Sequence, residues 1–576
     1  GNGQTIYDAG RNIAGWARVR VRGPEGARVL VEYCELPSDR ELVPDIHPSK
    51  LKIRVEDTDY ASFYDKSINI RQQNGYILKG KGTETFECRF AYMGFQFVRV
   101  TADPGVTVER VEAVPVHTDV AEAGRFVCSN DVVNRLQDMS RASLLNNFHS
   151  IPTDCPHREK QGWTADTYMT DQAAIYNFDM AAFYAKWVED LAGTQDSAGG
   201  LCTVAPSTGY DQSISTVWPA AIVYVPWDLL AYYGDRRVVE RHYETMMRFA
   251  ESGLLRQRDG KPEIIGEVLG DWVSPHMTLS DTLMSYSMAP PEGLTLYGTA
   301  SHYRVVRNLA EVARFLGKRD DAVRLDAWAD RIARRFNEEF FDAASGIYHG
   351  ENPTPYRQAA NVVPLEYGLV PEADSARVLG SLLCDLDGTR DRIGTGFVGT
   401  LSMMELMPRI DPERAYRLAT QPDYPGWGFM ALSGATTMWE TWDGSASRNH
   451  PPFCLISAYF YKYLAGIRCD RAYPGFERFT VDPSVVGDLT FVEAWHDSPY
   501  GRIRSEWRRD GSRLTMKVSV PVGTTATIGV PTRDAAGVAE SGRPVSGTDG
   551  VKFLRAAGGK AFYEVGSGSY VFTSRL

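Results

Sequence analysis

The chain has 576 residues, about four times the common domain size, so we expect two to four domains instead of one core. Hydrophobic residues make up 43% and charged residues 23% of it, which is typical of globular proteins and excludes a collagen-like, coiled-coil or largely disordered chain. The formal net charge of −11 would repel a phosphate backbone. We therefore expect no nucleic-acid partner.

Membrane, metal and disulfide signals are weak throughout the sequence. No window of about 18 apolar residues occurs, and Gly1 to Tyr7 lack the basic and apolar regions of a signal peptide. We expect no membrane partner and leave the cellular location and the oligomeric state open. The eight cysteines form no CxxC pair and the ten histidines form no HxxxH or HxH pair. This predicts reduced, mostly buried thiols and no metal site.

The N-terminal part of the chain has the alternation of a β domain. In Trp16 to Arg22 and in Arg28 to Tyr33, β-branched and polar residues alternate, and Phe95 to Thr101 repeats the pattern. The spacing of apolar residues becomes helical after Asn130, a residue type that caps helices well. We predict an antiparallel β-sandwich over residues 1–124.

Helical hairpins dominate residues 125–467. For example, His302 to Leu316 ends in a glycine turn, and Ala322 to Phe341 follows as a second helix. At about 25 to 30 residues for each helix and its connection, the segment holds about twelve helices, the number in an (α/α)6 barrel. Periodicity alone leaves another helical toroid or a solenoid open. The long irregular segments 194–222 and 256–297 are predicted to build a pocket.

The alternation of a β domain returns after Gly466. In Arg502 to Pro521, apolar and polar residues alternate on both sides of the turn Asp510-Gly511, which is a strong hairpin signal. We predict a second antiparallel β-sandwich over residues 468–576. The predicted fold class is thus a mainly α multidomain protein with a β domain on each side of the helical one.

The densest polar segment is DCPHREKQGWTAD, residues 154–166. It connects a helix that ends near Asn147 to one that begins near Tyr168, and such connections often carry function. A glycosidic oxygen must be protonated as it leaves, ring hydroxyls need polar partners, and the C–H face of a sugar packs on an aromatic ring. The carboxylates, Arg158 and Trp163 supply these groups. The alternative is a solvated charged loop with a core tryptophan.

A second candidate cluster is GATTMWETWDG, residues 434–444, followed by Arg448, Asn449 and His450. Glu440 lies between two tryptophans, so it is either partly buried or part of an aromatic cleft. A tryptophan-rich edge of the core with Glu440 pointing outward is the alternative. His450 by itself would more often be a structural histidine.

Four motifs in the order DCPxRE…GWTxD, TGFVGT (Thr395 to Thr400), YPGW (Tyr424 to Trp427) and GATTxWExWDG…NH resemble those of the family 78 α-L-rhamnosidases. The resemblance covers about Phe126 to Gly466 and extends to a β domain on each side. It implies an (α/α)6 catalytic barrel that releases terminal α-L-rhamnose from glycosides or polysaccharides. It also implies inversion at the anomeric carbon, without a metal or organic cofactor.

Carried over by position, the resemblance implies that Glu159 is the general acid and Glu440 the general base. Negative charge on the nearby aspartates is expected to keep Glu159 protonated, while an ionised Glu440 takes a proton from the attacking water. Trp218 and Asp211 stay open between a pocket wall and a structural insert, and Cys155 is expected to be structural. The candidate sugar-binding residues are Asp154, Arg158, Trp163, Asp166, Trp218, Asp271, Trp272, Trp439 and His450.

The sequence departs from the family pattern at several places. The first motif is one residue shorter than DCPxRDExxGW, so Glu159 is the acid that it offers. Thr441-Trp442 stands where the family usually has Arg-Trp, and the segment from Glu440 to His450 is also short. Trp218-Pro219-Ala220 replaces a frequent Trp-Gly-Asp. We expect these differences to affect the outer part of the substrate site more than the reaction.

Two other classes of function fit part of this pattern. One is another (α/α)6 carbohydrate-active enzyme, such as a glucuronyl hydrolase, an inverting phosphorylase or a lyase. A phosphorylase needs positively charged residues that bind phosphate close to Glu440, and Arg448 is the only candidate in that part of the sequence. The other is a sugar-binding protein descended from such a barrel. Binding does not need both an acid and a base, so the pair Glu159 and Glu440 favours an enzyme.

Overall fold

The computed structural model describes residues 4–36, 72–209, 215–253, 257–276 and 289–576, and Asp211 lies outside them. The described N-terminal residues form one six-stranded sheet, and all its pairings are antiparallel, as predicted. Alternate side chains of the first strand, including Ala17, Val19 and Val21, are buried in its core. The strands are β1 (Gln4–Arg22), β2 (Arg28–Cys34), β3 (Gln73–Ile77), β4 (Thr83–Phe86), β5 (Met93–Ala102) and β6 (Thr107–Pro115).

The middle of the chain is helical, and the described residues contain thirteen α-helices. Asn130 caps the first of them, because its side chain accepts hydrogen bonds from the backbone N–H groups of Val132 and Val133. The helices are α1 (Asp131–Asn146), α2 (Thr164–Asn177), α3 (Ala181–Ala192), α4 (Ala221–Tyr233), α5 (Arg236–Ser252), α6 (Thr295–Phe315), α7 (Arg319–Phe340), α8 (Gln358–Tyr367), α9 (Glu372–Thr389), α10 (Phe397–Ile410), α11 (Pro412–Thr420), α12 (Trp427–Leu432) and α13 (Leu455–Tyr459).

Shorter elements connect these helices. The described residues include 3₁₀ turns at Trp218–Ala220, Arg258–Gly260 and Pro452–Cys454, a π-helical turn at Phe460–Leu464, and a small hairpin of β8 (Phe341–Asp342) and β9 (Ile347–Tyr348). No helix in the described ranges is long and apolar enough to cross a membrane.

Within the described residues, six of the helices pack in a closed ring. Helix α2 contacts α4, α4 contacts α6, α6 contacts α8, α8 contacts α10, α10 contacts α13, and α13 contacts α2 again. Helix α4 is buried on nearly all sides, whereas the next helix, α5, buries one stripe that includes Val238, His242 and Met246. This alternation of buried and amphipathic helices places the ring helices inside and the helices between them against their outer faces.

The C-terminal region contains two sheets. Their strands are β7 (Gly124–Cys128), β10 (Ile467–Cys469), β11 (Arg478–Val481), β12 (Phe491–Ser498), β13 (Gly501–Asp510), β14 (Arg513–Val520), β15 (Thr525–Pro531), β16 (Ala539–Glu540), β17 (Arg543–Pro544), β18 (Val551–Ala557), β19 (Lys560–Val565) and β20 (Gly568–Arg575). One sheet has the order β10-β11-β15-β19-β18, and the other has the order β17-β16-β20-β14-β13-β12-β7.

The C-terminal pairing confirms the predicted hairpin and adds two unpredicted features. Strands β13 and β14 pair antiparallel across Asp510-Gly511, as expected. Strand β7 precedes α1 in the chain but pairs with β12 of the C-terminal sheet. Strands β11 and β15 pair in parallel, so that sheet is mixed where the sequence predicts antiparallel strands. The three strands between β11 and β15 supply the long crossover that a parallel pair requires.

Candidate active site

Residues 154–166 form a tight loop that leads into α2. Asp154 Oδ1 accepts a hydrogen bond from the Gln161 N–H at 2.8 Å, and the Lys160 N–H donates to the Cys155 carbonyl at 3.2 Å. Lys160 has φ = 57°, the left-handed conformation that closes the turn. Asp166 lies in the first turn of α2, so the loop and the start of this helix face the same end of the ring.

Arg158 joins the two predicted catalytic glutamates. Its Nη2 atom lies 2.8 Å from Glu159 Oε1 and 3.1 Å from Glu440 Oε2. The Trp163 indole N–H donates to Glu159 Oε2 at 2.8 Å. Only 7% of the Glu159 side chain and 4% of the Glu440 side chain are exposed. Two clusters that lie 282 residues apart in the sequence therefore meet at one buried guanidinium group.

His450 supplies a second positive charge. Its Nε2 atom lies 2.9 Å from Asp166 Oδ1, and its Nδ1 atom lies 3.9 Å from Glu440 Oε2. Burial lowers the pKa of His450, but the charges of Glu440 and Asp166 outweigh it and raise this pKa to about 9. The imidazole ring is therefore positively charged at neutral pH.

Glu440 lies between these two cations. Burial raises the pKa of Glu440, but Arg158, His450 and the Ser447 N–H together hold this pKa below its ordinary value. The Ser447 N–H donates to Glu440 Oε2 at 3.1 Å. Glu440 is thus kept as a carboxylate, the form that can accept a proton from water.

Asp154 has the opposite electrostatic environment. Burial raises the pKa of Asp154 well above its ordinary value, and the nearby Glu159 raises it further. The Cys155 thiol donates to Asp154 Oδ2 at 3.0 Å. Ligand atoms of Asp154, Cys155 and His450 lie within 4.8 Å of one another, and all three types bind metals. Metal binding would need both Cys155 and His450 to lose a proton, while burial raises the pKa of this thiol and the carboxylates raise that of His450. The cluster therefore suits hydrogen bonding to a ligand better than metal coordination.

Asp271 and Trp272 belong to a distant segment of the chain that packs against the first turn of α10. Asp271 Oδ2 accepts from the Gly396 N–H at 2.7 Å and Oδ1 accepts from the Gly399 N–H at 2.8 Å, so the carboxyl group caps the helix. The Trp272 carbonyl accepts from the Phe397 N–H. A Cβ atom on Gly396 would lie 2.1 Å from that carbonyl oxygen, which explains the glycine in TGFVGT. A sugar contact by either residue stays a prediction.

The remaining candidate tryptophans differ in burial. Trp218 is buried and starts the 3₁₀ turn before α4, where its backbone N–H donates to Ser215 Oγ. Trp439 is also buried, and the Arg448 guanidinium lies 4.9 Å from the centre of its ring. Trp163 and Trp272 are half-buried and keep part of their surface accessible. These two are therefore better placed than the others to contact a ligand.

Sequence analysis missed a contribution of the N-terminal domain. Glu35 follows β2 and is buried; its Oε2 accepts from the Arg448 N–H at 2.8 Å and its Oε1 accepts from the Asn12 amide at 2.7 Å. Glu35 Oε2 also lies 3.7 Å from His157 Nδ1. Glu35 and Arg448 are 413 residues apart, and no motif surrounds Glu35. The only sequence signal for this contact is that Glu35, an acidic residue, directly follows the alternating strand β2.

Comparison with known proteins identifies all three regions. Residues 121–464 match the bacterial alpha-L-rhamnosidase 6 hairpin glycosidase domain, residues 1–117 match the concanavalin-like domain of the same proteins, and residues 466–543 match their C-terminal domain. An alpha-L-rhamnosidase of Streptomyces avermitilis is 30% identical over 594 residues, covering 99% of this chain and 52% of the relative. One of Formosa agariphila is 29% identical over 554 residues, covering 92% of this chain and 55% of the relative.

A solved structure gives the same result. The alpha-L-rhamnosidase from Dictyoglumus thermophilum superposes with a TM-score of 0.86 at 31% identity, covering 100% of this chain and 62% of that chain. The chain spans about half the length of the curated relatives it matches. As its motifs predict, the chain belongs to the bacterial α-L-rhamnosidase family.

Proposed function

We propose that this chain hydrolyses terminal α-L-rhamnose from glycosides or oligosaccharides, with Glu159 as general acid and Glu440 as general base. The observation that supports this most directly is the Arg158 guanidinium, which contacts both buried carboxyl groups within 3.1 Å. Membership of the rhamnosidase family supports the choice of sugar, and a related Streptomyces avermitilis structure was solved as a complex with L-rhamnose.

The environment of each glutamate fits its proposed role. Glu440 is held ionised by Arg158 and His450, so it can deprotonate an attacking water. Glu159 needs a proton before it can protonate the leaving oxygen, and Arg158 Nη2 lies 2.8 Å from its Oε1 atom. We propose that the sugar hydroxyls draw the guanidinium away from Glu159 on binding. Asp154, Asp166 and His450 would then hold the remaining ring hydroxyls, with Trp163 against the C–H face.

Inversion places a geometric demand on this site. Because one Nη2 atom contacts both glutamates, their nearest oxygens can be no farther apart than the two contact distances combined. This limit applies to those two oxygens, whereas the carboxyl groups of inverting glycosidases lie ~6.5–9.5 Å apart, with room for a water. We therefore propose inversion, with the water entering between the two carboxyl groups as Arg158 moves towards the sugar.

The same proposal extends to the architecture. The closed order of α2, α4, α6, α8, α10 and α13 supports an (α/α)6 barrel as the catalytic domain. The two sheets of the C-terminal region support a β-sandwich there. In the N-terminal sheet, the long strand β1 pairs with β5 along its first half and with β4 and β6 along its second half, which supports a second, folded-over sandwich. We propose the domain limits 1–124, 125–467 and 468–576. Strand β7, at the start of the helical segment, pairs with β12 and so belongs to the C-terminal sheet.

The test is hydrolysis of aryl α-L-rhamnosides by Glu159→Gln and Glu440→Gln. Each change keeps the shape of the side chain and removes acid–base assistance, so turnover should fall by ~10²–10⁴-fold. A leaving group of low pKa should partly restore Glu159→Gln but not Glu440→Gln. Glu240→Gln, at an exposed position on α5, is the matched control and should keep full activity.

Three results would count against the proposal. Equal losses in Glu159→Gln across leaving groups of different pKa would contradict its role as the acid. Release from aryl glycosides of another sugar alone would favour a different carbohydrate-active enzyme. Binding of rhamnose without any turnover would favour the sugar-binding alternative.

A further inference from the structure

The helical domain also contains a cavity whose lining includes neither Glu159 nor Glu440. It has a volume of about 570 Å³, within the range of ~300–1,000 Å³ typical of small-molecule sites, and all six ring helices line it. On α2, Asp166 belongs to the candidate active site, whereas Asp171, Gln172 and Tyr176 line this cavity. With a rise of ~1.5 Å per residue, Tyr176 lies ~15 Å along the helix from Asp166. Tyr168 and Met169, less than one turn from Asp166, also line it, so the cavity extends from near the candidate active site towards the opposite end of the ring.

The walls of the cavity are unusually aromatic. Aromatic rings provide flat surfaces for the C–H faces of a ligand, and tyrosine hydroxyls add hydrogen-bonding groups beside them. Eight aromatic residues contribute, namely Tyr168, Tyr176, Tyr224, Trp227, Tyr232, Tyr303, Tyr367 and Tyr459.

Every cation in the described cavity wall is paired with a carboxylate, either in the wall or directly behind it. Five cationic and four acidic side chains line the cavity in the described structure, and each cation has a carboxylate partner. An anionic ligand would have to break one of these ion pairs. The pairs are Arg304 with Glu366, Lys462 with Glu405, Arg471 with Asp228, Arg307 with Asp326, and Arg468 with Asp482.

Five buried polar atoms of the wall have no hydrogen-bond partner among the described residues. Arg304 Nη1 and Glu366 Oε2 face each other as an ion pair at 3.5 Å, which leaves Asp171 Oδ2 and the hydroxyls of Tyr224 and Tyr459. Asp171 and Tyr459 are only 1% and 3% exposed. Burial raises the pKa of Asp171 well above its ordinary value, and Asp228 raises it further, which favours the neutral carboxyl group. A neutral carboxyl group and a phenol both donate and accept hydrogen bonds, so they suit hydroxyl groups on a ligand.

Part of the cavity wall reaches the protein surface. The Arg307 and Arg471 side chains are 42% exposed, whereas the Asp228 side chain is 6% exposed. Exposure therefore rises from the region of Asp171 and Asp228 towards these two arginines, which mark the mouth.

We propose that this cavity is a second binding site that takes a neutral, polyhydroxylated ligand of about monosaccharide size. The ligand is either the sugar that the active site releases or an unrelated sugar or polyol, because the wall recognises hydroxyl groups and C–H faces, which these share.

The test is calorimetric titration of L-rhamnose, D-glucose and glycerol into an Asp166→Ala protein, in which binding at the active site is weakened. We expect at least one of them to bind saturably with Kd of about 1 mM or lower. Ala458→Phe, which places a ring in the cavity, should abolish this binding in the same background. Tyr459→Phe, which removes one hydroxyl and adds no volume, should weaken it about fivefold.

Controls separate loss of the site from loss of the fold. Ala376→Phe, on the exposed side of α9, should bind like the parent. The midpoint of thermal unfolding should be similar in the variants, a measurement that does not depend on the proposed hydrolysis. Binding of L-rhamnose alone would identify the released sugar as the ligand, and binding of D-glucose as well would identify a general sugar site. Absence of saturable binding, unchanged binding in both cavity variants, or preference for phosphate or galacturonate would overturn the proposal.

Discussion

The charge on His450 should make the stability of this protein fall at alkaline pH. Its pKa is raised from about 6.5 to about 9 in the folded protein, because Glu440 and Asp166 outweigh the effect of burial. A raised pKa means that the folded state binds the proton more tightly than the unfolded chain. The stabilisation is therefore complete below pH ~6.5 and disappears as the pH rises through about 9. The difference corresponds to about 3 kcal/mol in the free energy of unfolding.

The assay is urea unfolding at pH 6.5 and pH 9.5, followed by far-UV circular dichroism, which reports the helical domain. The loss of unfolding free energy between the two pH values should be about 3 kcal/mol larger in the parent than in His450→Gln. His349→Gln, at a half-buried histidine outside the candidate site, should behave like the parent. An equal loss in the parent and in His450→Gln would refute the argument, because the carboxylates would then not hold the proton on His450.

Three further predictions test other parts of the site. Asp271→Ala removes the cap of α10 and should cost about 1–2 kcal/mol of unfolding free energy with little change in KM for an aryl α-L-rhamnoside; a large rise in KM at unchanged stability would instead show a sugar contact. Glu35→Ala leaves the Arg448 N–H and the Asn12 amide without this acceptor, so the free energy of unfolding should fall by about 1–3 kcal/mol and kcat should also fall. Glu35→Gln should recover most of the stability and most of kcat. A Glu35→Ala protein with unchanged stability and kcat would contradict a role of Glu35 in positioning the segment around Arg448. Proton NMR of the reaction should show β-L-rhamnose before the α anomer, and the reverse order would exclude inversion.

The parts of the fold that the sequence predicts are those with local causes. Asn130 caps α1 with its own side chain, and Asp510-Gly511 closes a hairpin between two strands with strict alternation. The unpredicted features depend on distant partners. The parallel pairing of β11 with β15 and the place of β7 beside β12 leave no signature in the residues of either strand.

The candidate site divides in the same way. The resemblance to the family motifs implies that Arg158, Glu159 and Glu440 belong to one site, and the structure brings them into contact. The sequence does not indicate that Asp271 caps α10, because its partners are backbone N–H groups that any sequence supplies. The cavity in the helical domain gives no sequence signal either, since its residues are spread over six helices that look like ordinary core helices. The catalytic and binding roles of all these residues stay predictions.

The two glutamates differ in their neighbours, and this difference supports the proposed division of roles. Glu440 is held by two cations, and one of them, His450, is fixed in turn by Asp166 at 2.9 Å. Glu159 shares Arg158 with Glu440, and its other oxygen binds the neutral indole N–H of Trp163. If substrate removes Arg158 from Oε1, Glu159 loses this cation and keeps the indole N–H on Oε2, an environment that suits a general acid. Glu440 would still keep the charge of His450 and stay ionised. Movement of the Arg158 guanidinium group would therefore give Glu159 the environment of an acid and leave Glu440 as the base, although both glutamates contact Arg158 at the start.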